Sequence, residues 1–307
     1  MRKFIIDTDT ASDDAVALVM ALRQPDIDVK AITVVAGNVP LPQALQNALY
    51  TVELCGASVP VYAGCAKPLL RDLETAEVVH GKDGMGDIGL PLQGRQPAPG
   101  HAADMLRQTI NENAGDITLV TLGPLTNVAL ALLREPELAR KVGRCFIMGG
   151  VGAGHGNVTP TAEFNIWVDP EAARIVYESG MAITMVGWDI SWRHATFDAE
   201  QAGEIRRIGT PLAEFVIDIQ ATLTDFAMRE NALAGFDLPD PITMAAAIDP
   251  DVCTYERYRV DVTTGDGLAR GITVVDRLGV TGREANVDVA ESADRASFVE
   301  MLRRSVS

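Results

Sequence analysis

Basic residues are in short supply in this 307-residue chain, where 26 Lys and Arg stand against 42 Asp and Glu for a formal net charge of −16. That imbalance argues against nucleic acid or an anionic membrane surface as a partner, because both demand positive potential. Cysteine is as sparse. Cys55, Cys65, Cys145 and Cys253 are scattered with no C-x-x-C pair, which reads as reduced, mostly buried thiols in the cytoplasm rather than a disulfide framework. No apolar run approaches the roughly 20 residues that span a bilayer. A strand entered by residue 3 is read as leaving no room for a signal peptide. Repeats, low-complexity tracts and linker-like composition shifts are missing as well. With 47% hydrophobic residues, the expectation is one soluble cytoplasmic domain, 1–307, around a large core.

What the chain does have is acid gathered in one place. Phe4-Ile5-Ile6 runs into Asp7-Thr8-Asp9-Thr10-Ala11-Ser12-Asp13-Asp14. The apolar run reads as a buried strand ending at Asp7, and residues 15–23 as a helix stopped by Gln24-Pro25. Asp13 and Asp14 would suit the helix dipole, with Ser12 as N-cap. Asp7 and Asp9 have no such structural reason. Carboxylates this close repel unless protons or a hard, oxygen-liganded cation intervene.

Further along, strands at 29–36, 59–62, 117–122, 144–148 and 182–186 alternate with helices at 42–54, 101–113, 125–140 and 169–179. This pattern predicts an α/β fold with a mostly parallel central sheet and helices on both faces, Rossmann-like in character. Residues 198–231 read as two helical segments broken near Gly209-Thr210-Pro211, 236–241 as a loop and 242–247 as a helix. Strands at 255–263, 271–275 and 287–289 and a helix at 293–304 close the chain. Two Gly-rich irregular stretches, 66–99 and 149–165, are expected beside a site. Polar residues collect at the predicted carboxyl ends of strands, where open α/β sheets bind ligands. They are the four acids, Asn38, the end of the strand at Leu122, Asn157, Glu163, Asn165, and Asp240, a nominal N-cap before Pro241.

An apolar strand running into Asp7-Thr8-Asp9-Thr10 resembles the nucleophile loop of haloacid dehalogenase-type phosphatases. That resemblance implies a magnesium-dependent phosphohydrolase with Asp7 as nucleophile and Asp9 as acid/base. A wider set of motifs adds Asp13-Asp14, Gly37-Asn38, Gly123-Pro124-Leu125-Thr126-Asn127, Met148-Gly149-Gly150, Gly156-Asn157-x-Thr159-Pro160-x-Ala162-Glu163-Phe164-Asn165 and Asp240-Pro241. Taken together, in this order and across most of the chain, they resemble the inosine-uridine-preferring nucleoside hydrolases. The segment from Asn157 to Asn165 is the specific part, and a phosphatase would not need it.

The resemblance implies hydrolysis of ribonucleosides to ribose and free nucleobase. It assigns a calcium ion to Asp7, Asp14, Asp240 and the backbone carbonyl of Leu122, and makes Asp9 the base for a calcium-bound water. Asp13, Asn38, Asn157, Glu163 and Asn165 would grip the ribose, with Asn165 counted in the catalytic set as well. Such a site stabilises the positive charge that develops on the sugar as the base leaves. The partner would be a small ribonucleoside, and the assembly a homodimer or homotetramer. Many family members carry a histidine immediately before the last aspartate, whereas this chain has Pro239. Leaving-group activation must then come from elsewhere. His80 and His194 are the candidates; Trp188 and Trp192 would act by stacking on a purine, which gives a lean to purines. Arg229 lies in the helical stretch whose family counterpart lines the base pocket, and His80 and Trp188 join the substrate-binding set. A calcium-dependent binder without turnover is the non-enzymatic alternative.

Overall fold

Side chains alternate across a strand, so Phe4 and Ile6 fall on one face of the first strand and Ile5 on the other. Two apolar cores form accordingly, one around Phe4 and Ile6 and one around Ile5. The computed structural model describes residues 1–230 and 235–307. Its strands are β1 (Arg2–Thr8), β2 (Ile27–Val34), β3 (Val61–Ala63), β4 (Ile117–Thr121), β5 (Val142–Met148), β6 (Ile183–Val186), β7 (Thr196–Asp198), β8 (Gly235–Asp237), β9 (Cys253–Val262), β10 (Thr273–Asp276) and β11 (Val287–Ala293).

A nine-stranded sheet runs in the order β10-β9-β11-β6-β5-β4-β1-β2-β3. Every pair from β11 to β3 is parallel, and β9 alone runs against the sheet, antiparallel to both β11 and β10. This is the mostly parallel sheet the alternation predicts. The stretch β6-β5-β4-β1-β2-β3 has its order reversal between β1 and β4, which opens a crevice at the carboxyl ends of those strands. Helices Ser12–Leu22, Leu41–Leu54 and Pro239–Ile248 pack on the Phe4 and Ile6 face, and Ala102–Glu112, Thr126–Arg134 and Pro170–Tyr177 on the Ile5 face. Among the described residues no helix is long and apolar enough to cross a membrane.

Several local expectations change. The helix over 125–140 ends at Arg134, and Pro136–Arg140 continues as a 3-10 turn, because proline cannot donate and restricts the residue before it. The 198–231 stretch holds three helices, Ala199–Arg206, Pro211–Asp218 and Ala221–Glu230, rather than two. Residue 231 lies outside the described residues. The loop over 236–241 is instead the end of β8 and the start of helix Pro239–Ile248, so Pro239 takes the first turn and Asp240 is inside the helix rather than its cap. Ala11, not Ser12, caps the first helix, and Ser12 Oγ is engaged with His80 Nδ1 at 3.0 Å. The 66–99 stretch stays irregular apart from one helical turn, Glu77–His80, and a bridge between Tyr62 and Ala98.

Candidate active site

The end of β1 sends its acids in two directions. Asp7 shares the face of Ile5 by alternation, and there Thr33 Oγ1 and Asn127 Nδ2 both donate to its Oδ2, at 2.5 and 2.9 Å. Asp9, beyond the strand, lies against Gly37, Asn38 and Gly123. The Asn38 backbone N–H donates to Asp9 Oδ2 at 2.6 Å. Gly37 and Gly123 press on the same carboxylate, and a Cβ added at Gly123 would lie 2.5 Å from Asp9 Oδ1. Asp14, in the first helical turn, accepts from Thr8 Oγ1 at 2.5 Å, from the Ala11 N–H at 2.9 Å and from Asn38 Nδ2 at 3.4 Å.

Helix Pro239–Ile248 packs against helix Ser12–Leu22 and brings Asp240 to this point. Asp13, Asp14 and Asp240 each offer an oxygen within 4.8 Å of the other two. Asp7 is not in that group. Burial raises Asp7 and Asp13 to about 7, the neighbouring Asp237 charge adding to the second. Burial and then the Asp13 charge raise Asp14 to about 6. Asp9 and Asp240 are pushed well above the carboxylate range, first by burial and then by the Asp14 and Asp13 charges. Asp7, Asp9 and Asp13 each keep a buried Oδ1 without a hydrogen-bond partner among the described residues. Crowded hard oxygens with unpaired buried lone pairs fit a divalent cation of the calcium or magnesium type.

The opposite wall comes from the 149–165 loop. Glu163 caps helix Phe164–Val168, and its carboxylate accepts from the N–H groups of Asn165, Gly150 and Ile166 at 2.7, 2.8 and 3.2 Å. Burial nevertheless raises it to about 7. Asn165 Nδ2 donates to the Leu122 carbonyl at 2.7 Å, and Asn157 Oδ1 accepts the Phe164 N–H at 2.9 Å. The Leu122 oxygen keeps a second lone pair.

Between these walls lies a cavity of about 270 Å³. Asp13, Asn38, Asn157, Glu163, Asn165 and Asp240 line its polar end, and Leu122 lies beside them. Trp188, Leu223, Phe226 and Pro239 line its apolar end, together with His80 and Asp237. Burial holds the His80 imidazole down at about 4, and its Nδ1 lies 3.7 Å from Asp13 Oδ1. The structure thus brings His80 and Trp188 to the cavity, but not His194, Trp192 or Arg229. The His194 carbonyl accepts from Arg295 Nη1, and Arg229 is exposed beside Asp225.

Sequence reasoning passed over four participants. Thr33 and Asn127 hold Asp7, and Asn127 closes the Gly123-Pro124-Leu125-Thr126-Asn127 motif. Asp237 hid in a segment read as loop. His155 stacks on Trp192 at 5.9 Å and meets the edge of Trp188 at 5.5 Å, and nothing in its spacing marks it.

A model of the inosine-uridine preferring nucleoside hydrolases matches residues 4–300. A pyrimidine-specific ribonucleoside hydrolase, RihA, of Salmonella enteritidis is 40% identical over 300 residues, covering 97% of this chain and 96% of the relative. Among solved structures, a plant nucleoside hydrolase, PpNRh1, superposes with a TM-score of 0.94 at 35% identity, covering 100% of this chain and 99% of that one. A purine-preferring ribonucleoside hydrolase from Gardnerella vaginalis does so with a TM-score of 0.92 at 30% identity, covering 99% and 98%. The chain therefore belongs to the inosine-uridine preferring nucleoside hydrolase family and is a hydrolase of N-glycosyl bonds.

Proposed function

We propose that this chain hydrolyses the N-glycosidic bond of ribonucleosides, releasing ribose and a free nucleobase, and that calcium is its cofactor. The observation that carries this reading is the buried group of Asp13, Asp14 and Asp240, two of which, Asp13 and Asp240, line the polar end of a nucleoside-sized cavity. Asp14, Asp240 and the second lone pair of the Leu122 carbonyl would hold the ion. The geometry favours leaving Asp7 out, since it lies outside the Asp13, Asp14 and Asp240 group and Thr33 and Asn127 hold its Oδ2. When bound, the cation would neutralise the crowded carboxylates and acidify water beside them.

Asp9 is the base in this reading. Its Oδ2 is fixed by the Asn38 N–H, and its unpartnered Oδ1 is free to take a proton from water attacking the sugar. Asp13, Asn38, Asn157, Glu163 and Asn165 grip the ribose hydroxyls, so a deoxyribose would leave buried polar groups unpaired. The acidic surroundings favour positive charge on the sugar as the base departs. We take 1–307 as one nucleoside hydrolase-like unit, because the sheet draws strands from both ends of the chain. Its proposed setting is a cytoplasmic homodimer or homotetramer, with no nucleic acid or membrane partner at a net charge of −16.

Base choice is set at the apolar end. Trp188 and Phe226 offer stacking surface there, which leans to purines. The 40% identical relative, named pyrimidine-specific, pulls the other way. Ribose release from a panel of purine and pyrimidine ribonucleosides, with calcium and with a chelator, tests the reading and ranks the bases. Chelator-sensitive release supports it; no release from any member of the panel overturns it.

A further inference from the structure

A nucleobase leaves poorly as an anion, so a proton must reach it as the glycosidic bond breaks. Pro239, immediately before Asp240, has no proton to give. At the apolar end of the cavity two titratable side chains stand outside the sugar-facing set, His80 and Asp237. His80 is tied through Nδ1 to Ser12 and sits near Asp13. Asp237 has a different geometry. It is the last residue of β8, paired with Thr196 of β7, and is 6% exposed. Trp188 Nε1 and Ser191 Oγ, from one short helix, both donate to the same oxygen, Oδ2, at 3.0 and 2.6 Å. Oδ1 accepts from no side chain among the described residues.

Two donors on one oxygen make Oδ2 an acceptor only. A proton carried by Asp237 must therefore ride on Oδ1, the oxygen left for a ligand in the cavity. From this arrangement, and resting on the ribonucleoside reading above, we infer that Asp237 is the acid that protonates the departing nucleobase. The proton passes from Oδ1 to a ring atom of the base while the electron pair of the C1′–N bond withdraws onto the base nitrogen. Water adds its oxygen to C1′ and yields a proton to Asp9. Solvent then returns a proton to Asp237 and removes one from Asp9, so the cycle is balanced without a further reactant. Burial raises the Asp237 carboxyl above the usual range, the direction an acid at this position needs. Trp188 and Ser191 are positioning residues for it.

The test compares substrates that do and do not need the proton. Inosine and uridine require it, whereas p-nitrophenyl β-D-riboside departs as a stable phenolate. In Asp237→Asn the amide oxygen can keep both hydrogen bonds to Trp188 and Ser191 but has no acid proton to transfer. Its kcat on the nucleosides is expected to fall about 10²–10⁴-fold, with kcat on the nitrophenyl riboside nearly unchanged. Nucleoside turnover retained in the variant, or equal losses on both substrates, overturns the assignment. If Asp237→Asn does not fold, Ser191→Ala decides: a loss confined to the nucleosides supports the inference, and no loss or a matched loss rejects it. A wild-type protein inactive on both substrates would instead refute the hydrolase reading itself.

Discussion

Asn127 Nδ2 donates to Asp7 Oδ2 across 2.9 Å, and the same side chain accepts the Cys65 N–H through Oδ1 at 2.8 Å. The pair binds the end of β1 to the helix and loop on the far face of the sheet. Asp7 is therefore an anchor for the acidic loop. Asp7→Asn keeps an oxygen for Thr33 and Asn127, so ribose release should fall by less than the about 10–100-fold typical of losing a supporting contact, with calcium affinity retained. Steady-state kinetics and calcium titration check this. A phosphohydrolase using Asp7 as nucleophile would lose all activity.

Gly123 holds Asp9 by absence. A methyl at this position would press on Asp9 Oδ1, and displacing a reacting group by an ångström lowers turnover about 10²-fold. Gly123→Ala is expected to lose kcat on that scale while it still binds calcium through Asp14 and Asp240.

Glu163 supplies three acceptor contacts from one carboxylate. Glu163→Gln replaces one acceptor oxygen with a donor, leaving at least one backbone N–H opposed. The expected outcome is a loss of about 1–3 kcal/mol in stability, read by chemical denaturation, together with a raised KM for ribonucleosides.

How far these features were legible differs by kind. The strands of the parallel sheet are apolar runs set between glycines, prolines and acids, so local pattern finds them. Asp240 was found with the wrong local role, because whether Pro239 or Pro241 opens the helix depends on how β8 ends. The helix Trp188–His194 was invisible as a helix: Trp188, Asp189, Ile190 and Ser191 are all buried, so no polar face marks the period. β7 and β8 are three residues each and exist only through their mutual pairing. The direction of Asp7 could not be read locally either, since alternation tells which residues share a face but not which helices cover it.

Metal-free protein should be more stable at mildly acid than at neutral pH. Asp7, Asp13 and Glu163 titrate at about 7 and Asp14 at about 6 in the folded chain, against 3.8 or 4.5 ordinarily. Between about 4 and 7 the folded state thus binds more protons than the unfolded one, and stability falls as pH rises. His80, lowered to about 4 from 6.5, and His194, lowered by burial as well, act in the opposite sense below 6.5, two groups against four. Thermal unfolding in chelator should give a Tm that drops from pH 5.5 to pH 7.5, and saturating calcium should flatten that slope.

The most direct measurement is ribose release by wild type and Asp9→Asn, run side by side with calcium and with chelator, alongside calcium titration of both proteins. Chelator-sensitive release by the wild type, a fall of about 10²–10⁴-fold in Asp9→Asn, and calcium binding in both are expected. Release unaffected by the substitution, or by the chelator, would contradict this mechanism.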